Sequence, residues 1–260
     1  MCYKHQFYGI ASHRCVQMTP TLRCNQRCLF CWRSFEHEPR EEEECLPETI
    51  LDGIHKLQKK ALAGYNAILD NNVTKKQWQE ALDPRHVAIS LSGEPTLYSK
   101  LPELIDLFNG KGYSTFLVSN GTNPEMLKKC NPFQMYISLD APDRDTYMAV
   151  CRPLGDYWER VRESLRLLRS RRSAVRVTLV KGLNDVAPER YAAILQDAGA
   201  SFVEIKGYMY LGYSRKRLTR ENMPEHAEVR AFTEKIAAAC DYRLKDENKL
   251  SRVLVLERMT

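Results

Sequence analysis

Three cysteines stand within eight residues of one another near the start of the chain. Cys24, Cys28 and Cys31 follow the pattern C-x3-C-x2-C, so three thiolates of one loop can converge on one metal centre. Structural zinc sites usually use four protein ligands, commonly as paired C-x2-C knuckles, and no second knuckle follows in the sequence. Three thiolates instead suit a [4Fe–4S] cluster in which one iron is open to a non-protein ligand. We therefore predict an iron–sulfur centre, with structural zinc as the alternative.

The overall composition is that of an ordinary globular protein. The chain has 260 residues, 43% of them hydrophobic and 28% charged, with a net charge of +6. It contains nine cysteines, no apolar run of membrane-spanning length and no export signal, so we expect a cytoplasmic protein without disulfides. The positive charge is compatible with a polyanionic partner without requiring one. The acidic run at residues 41–44 is expected to be a solvated surface.

Alternating strand and helix patterns predict the scaffold that positions the cysteines. Apolar, β-branched runs recur six times, with helical apolar spacing between them; they lie at 16–22, 87–91, 114–119, 135–139, 175–180 and 202–206. Such alternation implies parallel strands with right-handed crossovers, in either an open doubly wound sheet or a barrel. A further run at 253–256 predicts a last strand. Without repeats or linkers, residues 1–260 are predicted to form one domain.

Polar segments follow each predicted strand. The three cysteines follow the first strand, and segments 92–95, 120–122, 140–143, 181–184 and 207–208 follow the next five. In parallel α/β folds the chemistry lies on the loops after the carboxyl ends of the strands. The sequence therefore predicts one site at this rim.

The cysteine pattern, with an aromatic residue before its last cysteine and a strand–helix series around it, resembles the radical S-adenosylmethionine superfamily. The resemblance implies a partial (β/α)6 barrel of the TIM type, in which the open iron chelates S-adenosylmethionine. Reduction of the cluster cleaves this cofactor to a 5′-deoxyadenosyl radical, which takes hydrogen from a substrate. The cofactor-binding positions that the resemblance implies are Ser92, Gly93, Glu94, Pro95, Ser119, Asn120, Ser138 and Asp140.

Longer segments resemble the archaeal tRNA 4-demethylwyosine synthase family. They are CYK at 2–4, FYGI at 7–10, SHRC at 12–15, CNQRCLFCWR at 24–33, LSGEPT at 91–96, GYSRKRL at 212–218 and NMP at 222–224. The resemblance implies a lyase that condenses N1-methylguanosine 37 of tRNA(Phe) with two carbons of pyruvate, forming a tricyclic base. We expect it to act as a monomer, to have no membrane partner, and to receive electrons from a separate donor protein.

The N-terminal segment, residues 1–16, carries a second set of candidate groups. Cys2 and Cys15 have the C-x12-C spacing with which the family holds a second [4Fe–4S] cluster. The family's third cysteine would stand thirteen positions before Cys2, where this chain has no residues, so either the sequence is incomplete or another ligand is used. Lys4 matches a family lysine that forms a Schiff base with the pyruvate ketone, for which a desolvated amine is suited. The alternative is chelation of pyruvate by the second cluster, with Lys4 as a charge partner.

The C-terminal extension, residues 207–260, interleaves aromatic rings with cations. Tyr213, Arg215, Lys216 and Arg217 suit a splayed anticodon loop, in which rings stack on bases and cations contact phosphates. A lid with ordinary surface charges is the alternative. Two other functions stay open: a radical enzyme acting on a protein or small molecule, and a non-catalytic tRNA-binding protein with a structural metal.

Overall fold

Eight strands form one mixed sheet in the computed structural model, which describes residues 2–35, 43–68 and 73–259. The strands are β1 (Cys15–Met18), β2 (His86–Ile89), β3 (Ser114–Ser119), β4 (Gln134–Ser138), β5 (Ser173–Leu179), β6 (Phe202–Gly207), β7 (Tyr242–Asn248) and β8 (Val253–Arg258). Strands β1 to β6 pair in parallel in chain order, and β8 then β7 extend the sheet with antiparallel pairs. Within the described ranges β1 and β7 do not pair, so the sheet stays open. The predicted partial (β/α)6 barrel is confirmed.

Nine helices lie in the described ranges, and all except the first cover one face of the sheet. They are α1 (Tyr3–Tyr8), α2 (Pro47–Leu62), α3 (Lys75–Ala81), α4 (Leu101–Gly110), α5 (Pro124–Lys129), α6 (Arg144–Cys151), α7 (Trp158–Arg166), α8 (Pro188–Ala198) and α9 (His226–Ala237). Alternate strand residues such as Ile137 and Val175 form one buried cluster with helix residues such as Leu104, Leu165 and Leu195. No helix in the described ranges is both long and apolar enough to cross a membrane.

The opposite face of the sheet is covered by helix α1. The alternate strand residues Phe116, Tyr136 and Phe202 form a second buried cluster, and Tyr3 and Phe7 of α1 belong to it. Because a strand points successive side chains to opposite faces, these residues line the inner side of the open barrel. The N-terminal segment is therefore folded into the barrel interior.

Strand β7 and helix α1 were not predicted from the sequence. The two elements are joined by side-chain hydrogen bonds. The Gln6 side chain of α1 donates to Asp246 of β7 at 2.9 Å and accepts from Asn248 at 3.0 Å. Strand β7 was missed because its sequence YRLKDEN is largely charged, and only Tyr242 in it is buried. Helix α1 was missed because six residues are too few for a periodic signal.

The first predicted strand was too long at its C-terminal end. Strand β1 ends at Met18, and the segment that follows is a loop. Thr19 donates its hydroxyl proton to the carbonyl of Ser92 at 2.5 Å, which ties this loop to the loop after β2. The prediction for residues 41–44 falls partly outside the described residues. Glu44 is engaged rather than solvated: Arg23 donates to it at 2.6 Å and the Ser99 amide at 3.1 Å.

Candidate active site

The rim of the barrel surrounds a cavity of about 340 Å³. Three cysteines and six of the predicted cofactor-binding residues line it together: Cys24, Cys28, Cys31, Gly93, Glu94, Ser119, Asn120, Ser138 and Asp140. An adjoining cavity of about 570 Å³ is lined by the same cysteines and by Ser92. Pro95 is buried at the start of a 3-10 turn and lines neither of these cavities. The structure therefore brings the three cysteines and all predicted cofactor-binding residues except Pro95 to the rim cavities.

The cysteine loop is held by the end of helix α6. The amide of Arg27 donates to the carbonyl of Cys151 at 3.1 Å, and the amide of Leu29 donates to that of Val150 at 2.9 Å. The Cys28 thiol donates to the side-chain oxygen of Gln26 at 3.2 Å, and the neighbouring buried thiol of Cys151 raises the pKa of Cys28. Cys151 thus belongs to the surroundings of the cysteine loop, although its sequence spacing gives no sign of it.

The three thiols fit an iron–sulfur cluster. Burial raises the pKa of Cys24 to about 12 and also raises that of Cys31, so the free thiols are protonated and must lose protons when a metal binds. Within the described ranges no three His, Cys, Asp or Glu side chains are arranged to hold a single metal ion. A cubane cluster distributes its thiolate ligands over several irons, which suits three thiols spread around one cavity. Phe30 and Trp32 add an aromatic surround of the kind that tunes such a centre.

The Glu94 network consists of Glu94, Thr96, Ser119 and Asn120. One carboxylate oxygen of Glu94 accepts from the Ser119 hydroxyl at 2.7 Å and from the Thr96 hydroxyl at 2.7 Å. The other oxygen accepts from the backbone amide of Asn120 at 2.7 Å. Burial raises the pKa of this carboxyl group, and the hydrogen bonds oppose that rise. Both oxygens are thus used inside the protein, and Glu94 locks the loop after β2 to the end of β3.

Gly93 brings the backbone of this network against the cysteine loop. Its φ of +69° lies in the left-handed region, and a Cβ placed there would stand 2.4 Å from the carbonyl oxygen of Thr21 and 2.8 Å from that of Arg23. The neighbouring amide of Glu94 donates to the same Arg23 carbonyl at 2.8 Å. Only glycine permits both the conformation and this close approach.

Asn25, inside the cysteine motif, connects the motif to the end of β3. It accepts from the Asn120 side-chain amide at 2.9 Å and donates to the Thr122 hydroxyl at 2.8 Å. Sequence analysis did not single out Asn25, although it lies between two predicted ligands. The cysteine loop is therefore positioned by hydrogen bonds to the neighbouring strand ends.

Asp140 occupies the end of β4. Its carboxylate accepts from the backbone amide of Thr178 at 2.6 Å, and burial raises its pKa to about 6. The side chain of Asn184 donates to the Asp140 carbonyl at 2.9 Å and to that of Thr178 at 2.9 Å. Asn184 is fully buried and acts in positioning the two strand ends.

Lys4 enters the barrel interior from helix α1. Its amine lies 4.3 Å from the centre of the Tyr136 ring and 5.4 Å from that of Phe116. Burial lowers its pKa, and the nearby charge of Glu204 opposes this effect. Glu204 is fully buried in β6 and accepts from the hydroxyls of Tyr3 at 3.1 Å and Tyr8 at 2.6 Å.

The predicted second-cluster cysteines lie close to Lys4. Cys2 is exposed and Cys15 is half-buried. Burial raises the pKa of Cys15 to about 11, and the charge of Lys4 opposes the rise. The structure thus places Lys4 and both cysteines in one neighbourhood.

Two further cations face the same interior and were missed by sequence analysis. Arg176 of β5 and Lys206 of β6 line the cavity with the cysteines. We name Lys4, Arg176 and Lys206 the cation group. The available signal was the presence of charged residues at inward positions of strands that are mostly apolar: one in SAVRVTL and two in FVEIKG.

The aromatic and basic C-terminal segment lies against the cysteine loop. The amide of Tyr213 donates to the carbonyl of Trp32 at 2.8 Å. The Arg217 guanidinium donates to the carbonyls of Leu29 and Cys31 and stacks 4.2 Å over the Phe35 ring. Tyr213, Arg215 and Lys216 are exposed, so Arg217 faces the protein while its three predicted companions face solvent.

Comparison with protein families gives two matches that together cover most of the chain. Residues 18–195 match the radical SAM superfamily, and residues 197–258 match the family described as wyosine base formation. The first match covers the cysteine loop and strands β2 to β5, and the second covers β6 and the segment after it.

Curated relatives resemble the chain over almost its whole length. The S-adenosyl-L-methionine-dependent tRNA 4-demethylwyosine synthase of Methanocaldococcus jannaschii is 41% identical, with 98% of this chain and 85% of the relative covered. The enzyme of the same name from Pyrococcus abyssi is 44% identical, over 99% of this chain and 78% of the relative. The Arabidopsis thaliana relative is 38% identical over 99% of this chain but only 41% of its own length.

Solved structures agree with these relatives. A structure of TYW1 with a lysine-pyruvate adduct bound superposes with a TM-score of 0.88 at 41% identity, over 99% of this chain and 84% of the other. A crystal structure of archaeal TYW1 gives a TM-score of 0.81 at 36% identity, with the same coverage of both chains. Coproporphyrinogen III oxidase from Escherichia coli, a radical SAM enzyme, shares the fold with a TM-score of 0.53 at 10% identity, over 94% of this chain and 55% of its own.

Proposed function

The chain belongs to the tRNA 4-demethylwyosine synthases of the radical SAM superfamily, and from this premise we propose that it condenses N1-methylguanosine 37 of tRNA(Phe) with carbons 2 and 3 of pyruvate, as a lyase. The observation that carries the proposal is the presence, inside one open barrel, of the three-cysteine loop and the half-buried amine of Lys4. The first is suited to making a radical, and the second to capturing a ketone.

Cys24, Cys28 and Cys31 are proposed to hold the [4Fe–4S] cluster that membership of the superfamily implies. When bound, the cluster and S-adenosylmethionine supply a 5′-deoxyadenosyl radical that removes hydrogen from the N-methyl group of the substrate. The protein's part is to hold the reacting groups in place and to exclude water.

The cofactor is proposed to lie along the strand ends. Ser92 and Gly93, which line the cavities, would contribute their backbone, because both oxygens of the neighbouring Glu94 side chain are already engaged in hydrogen bonds. Pro95, which lines neither cavity, would act by shaping the turn that follows them. Ser119, Asn120, Ser138 and Asp140 would contribute side-chain or backbone groups from the next two strands. Because the Glu94 network already fixes Ser119 and the Asn120 backbone, binding needs little reorganisation there.

Lys4 is proposed to form a Schiff base with the ketone of pyruvate. The interior position of its amine, over the Tyr136 ring and without an ion-pair partner among the described residues, supports this role. A TYW1 structure that is 41% identical holds a lysine-pyruvate adduct, which supports it independently. Cys2 and Cys15, in the same neighbourhood, are proposed to hold a second [4Fe–4S] cluster together with a further ligand. Chelation of pyruvate by that cluster is the competing arrangement.

The tRNA is proposed to approach over the C-terminal segment. Tyr213, Arg215 and Lys216 are exposed beside the cysteine loop, where a ring and two cations can meet a splayed anticodon loop. Arg217 would act by holding this segment against the loop rather than by touching RNA, because its guanidinium already binds loop carbonyls. We further propose that a separate protein supplies the electrons.

The proposal is tested with protein reconstituted anaerobically with iron and sulfide. It is given dithionite, S-adenosylmethionine, pyruvate and tRNA carrying N1-methylguanosine 37, and the digested nucleosides and 5′-deoxyadenosine are measured by mass spectrometry. We expect a tricyclic nucleoside that requires pyruvate. Formation of 5′-deoxyadenosine without this nucleoside would contradict the proposed substrate while leaving the radical site intact.

A further inference from the structure

The cation group places three positive charges inside the barrel, and none of them forms an ion pair with a described carboxylate. Within the described ranges no carboxylate oxygen lies within ion-pair distance of Lys4, Arg176 or Lys206, although the chain has many surface ion pairs such as Lys128 with Glu125. Two buried carboxylates, Glu204 and Asp140, act on Arg176 from a distance. Their oxygens are engaged elsewhere, because Glu204 accepts from Tyr3 and Tyr8 and Asp140 accepts from the Thr178 amide. Three cations face two carboxylates that are engaged elsewhere, so the group has an excess positive charge. Because an interior cation costs free energy unless a counter-charge meets it, this excess favours an anion that comes from outside.

The strand register places the group at adjacent levels of the barrel. Arg176 is paired across from Ser138 on one side and from Glu204 on the other, and Lys206 is paired with Thr178, one inward-facing position above. Lys4 lies over Tyr136, which is one inward position below Ser138 on the same strand. Arg176 therefore lines the cavity with the cysteines at a level one inward position above the ring that Lys4 contacts.

We propose that the guanidinium of Arg176 binds the carboxylate of the α-keto acid and so turns the C2 carbonyl toward Lys4. This inference rests on the proposed function and adds to it the residue that selects an acid over a neutral ketone. A guanidinium donates two parallel hydrogen bonds to a carboxylate, which fixes orientation as well as position. Lys206, on the neighbouring strand, adds a second positive charge on the cavity side.

The orientation serves a specific step. The unprotonated Lys4 nitrogen adds to the ketone carbon, and a new carbon–nitrogen bond forms. The former carbonyl oxygen then leaves as water with the two protons of the amine, which yields the imine without an external oxidant or reductant. Throughout this exchange the carboxylate keeps its charge, so its contact with Arg176 persists.

Arg176 could instead bind the methionyl carboxylate of S-adenosylmethionine, since the cavity that it lines extends to the cysteines. The hydrogen bonds between guanidinium and carboxylate would be the same in both cases. The position of Arg176, level with Glu204 and next to the layer of Tyr136, favours the keto acid, and the two sources are separated by experiment.

The experiment traps the imine in anaerobically reconstituted holoenzyme. Sodium cyanoborohydride is added with either pyruvate or hydroxyacetone, a neutral ketone of similar size, and the adduct on Lys4 is quantified by peptide mass spectrometry. Wild type is compared with Arg176→Gln, Arg176→Lys and Arg172→Gln. Arg172 is an exposed arginine just before β5 and provides the matched control. Binding of S-adenosylmethionine is measured on the same proteins by equilibrium dialysis.

We expect the preference for pyruvate over hydroxyacetone to fall roughly ten-fold or more in Arg176→Gln. Arg176→Lys should restore part of the preference, and Arg172→Gln should leave it unchanged. Hydroxyacetone trapping in each variant shows that the site is still folded.

An unchanged preference in Arg176→Gln would overturn the inference. So would a retained preference together with weakened S-adenosylmethionine binding, which would assign Arg176 to the cofactor. If the wild type formed no Lys4 adduct with either pyruvate or hydroxyacetone, the proposed Schiff base itself would be contradicted. This outcome differs from failure of the Arg176 inference, in which both adducts still form.

Discussion

The Glu94 network and the cation group both contribute residues to the cavity at the rim of one barrel, yet their hydrogen bonding is opposite. In the network, both carboxylate oxygens of Glu94 are occupied by donors from the next strand and turn. In the cation group, the charges of Arg176 and Lys206 meet no carboxylate among the described residues, and aromatic rings are the nearest partners recorded for both lysines. A saturated network fixes a loop, whereas unpaired buried charge is retained where a ligand supplies the partner.

The Glu94 network therefore positions the loops of the site, whereas the cation group is placed to bind a ligand. Substitutions in the Glu94 network should lower the free energy of unfolding, and activity should fall because the site is less well folded. Substitutions in the cation group should lower activity while leaving stability equal or higher.

The largest effect is expected at the cysteine loop that the Glu94 network supports. Cys24→Ser should abolish both iron–sulfur absorption after reconstitution and formation of 5′-deoxyadenosine, because a hydroxyl is a poor ligand for such a cluster. Cys45→Ser, at an exposed cysteine outside the loop, is the control and should change neither. Normal iron content in Cys24→Ser would show that Cys24 is not a ligand.

Glu94→Gln should destabilise the protein by about 2–3 kcal/mol. The glutamine amide must point its N–H groups at either the Ser119 and Thr96 donors or the Asn120 amide, which leaves buried donors facing each other. Urea unfolding of the metal-free protein measures the change. Glu125→Gln removes only a surface ion pair with Lys128 and should have no measurable effect. Equal stability of the two variants would show that the Glu94 network does not stabilise the loop.

Lys4→Met should raise stability by on the order of 1 kcal/mol while it removes the tricyclic product. Replacing a buried ammonium by an apolar chain of similar length relieves its desolvation, although the loss of the contact with the Tyr136 ring offsets part of the gain. Unfolding and turnover are measured on the same preparation. Lys128→Met, at an exposed lysine, should change neither property. A marked loss of stability in Lys4→Met would mean that Lys4 is structural.

The smallest effect concerns the exposed segment beside the cysteine loop. Replacing Arg215 and Lys216 together by alanine should reduce the slope of log affinity for tRNA against log salt by about 1.5–2, because two phosphate contacts are lost. Unfolding should be unaffected, since both side chains are exposed. Binding is followed by filter retention at several salt concentrations. An unchanged slope would show that Arg215 and Lys216 do not contact the tRNA phosphates.

The parallel barrel and the cysteine site could be predicted from sequence because their signals are local. Strand β3 is a largely apolar run followed by a polar loop, and its observed bounds, Ser114–Ser119, are those predicted. Strand β6 extends one residue beyond the predicted range 202–206. The cysteine spacing marks its loop without any knowledge of the fold. Radical SAM membership and the wyosine family, both expected from these motifs, are confirmed.

What was missed depends on contacts between distant parts of the chain. Arg176 and Lys206 acquire meaning only when two strands bring them beside helix α1, and α1 is too short to have a periodic signal of its own. Strand β7 is stabilised by pairing with β8 and by Gln6 of α1, not by apolar residues of its own. Arg217 carries the same charge as Arg215 and Lys216, so its inward contacts with the cysteine loop could not be read from residue type.

The most direct test of the account is a pair of variants assayed side by side for radical formation and for ketone capture. In Lys4→Met the account predicts 5′-deoxyadenosine but neither a tricyclic nucleoside nor a trapped pyruvate adduct. In Cys24→Ser it predicts no 5′-deoxyadenosine and no product, while pyruvate is still trapped on Lys4. Tricyclic product from Lys4→Met, or 5′-deoxyadenosine from Cys24→Ser, would contradict the division of the barrel into a radical-forming part and a ketone-binding part.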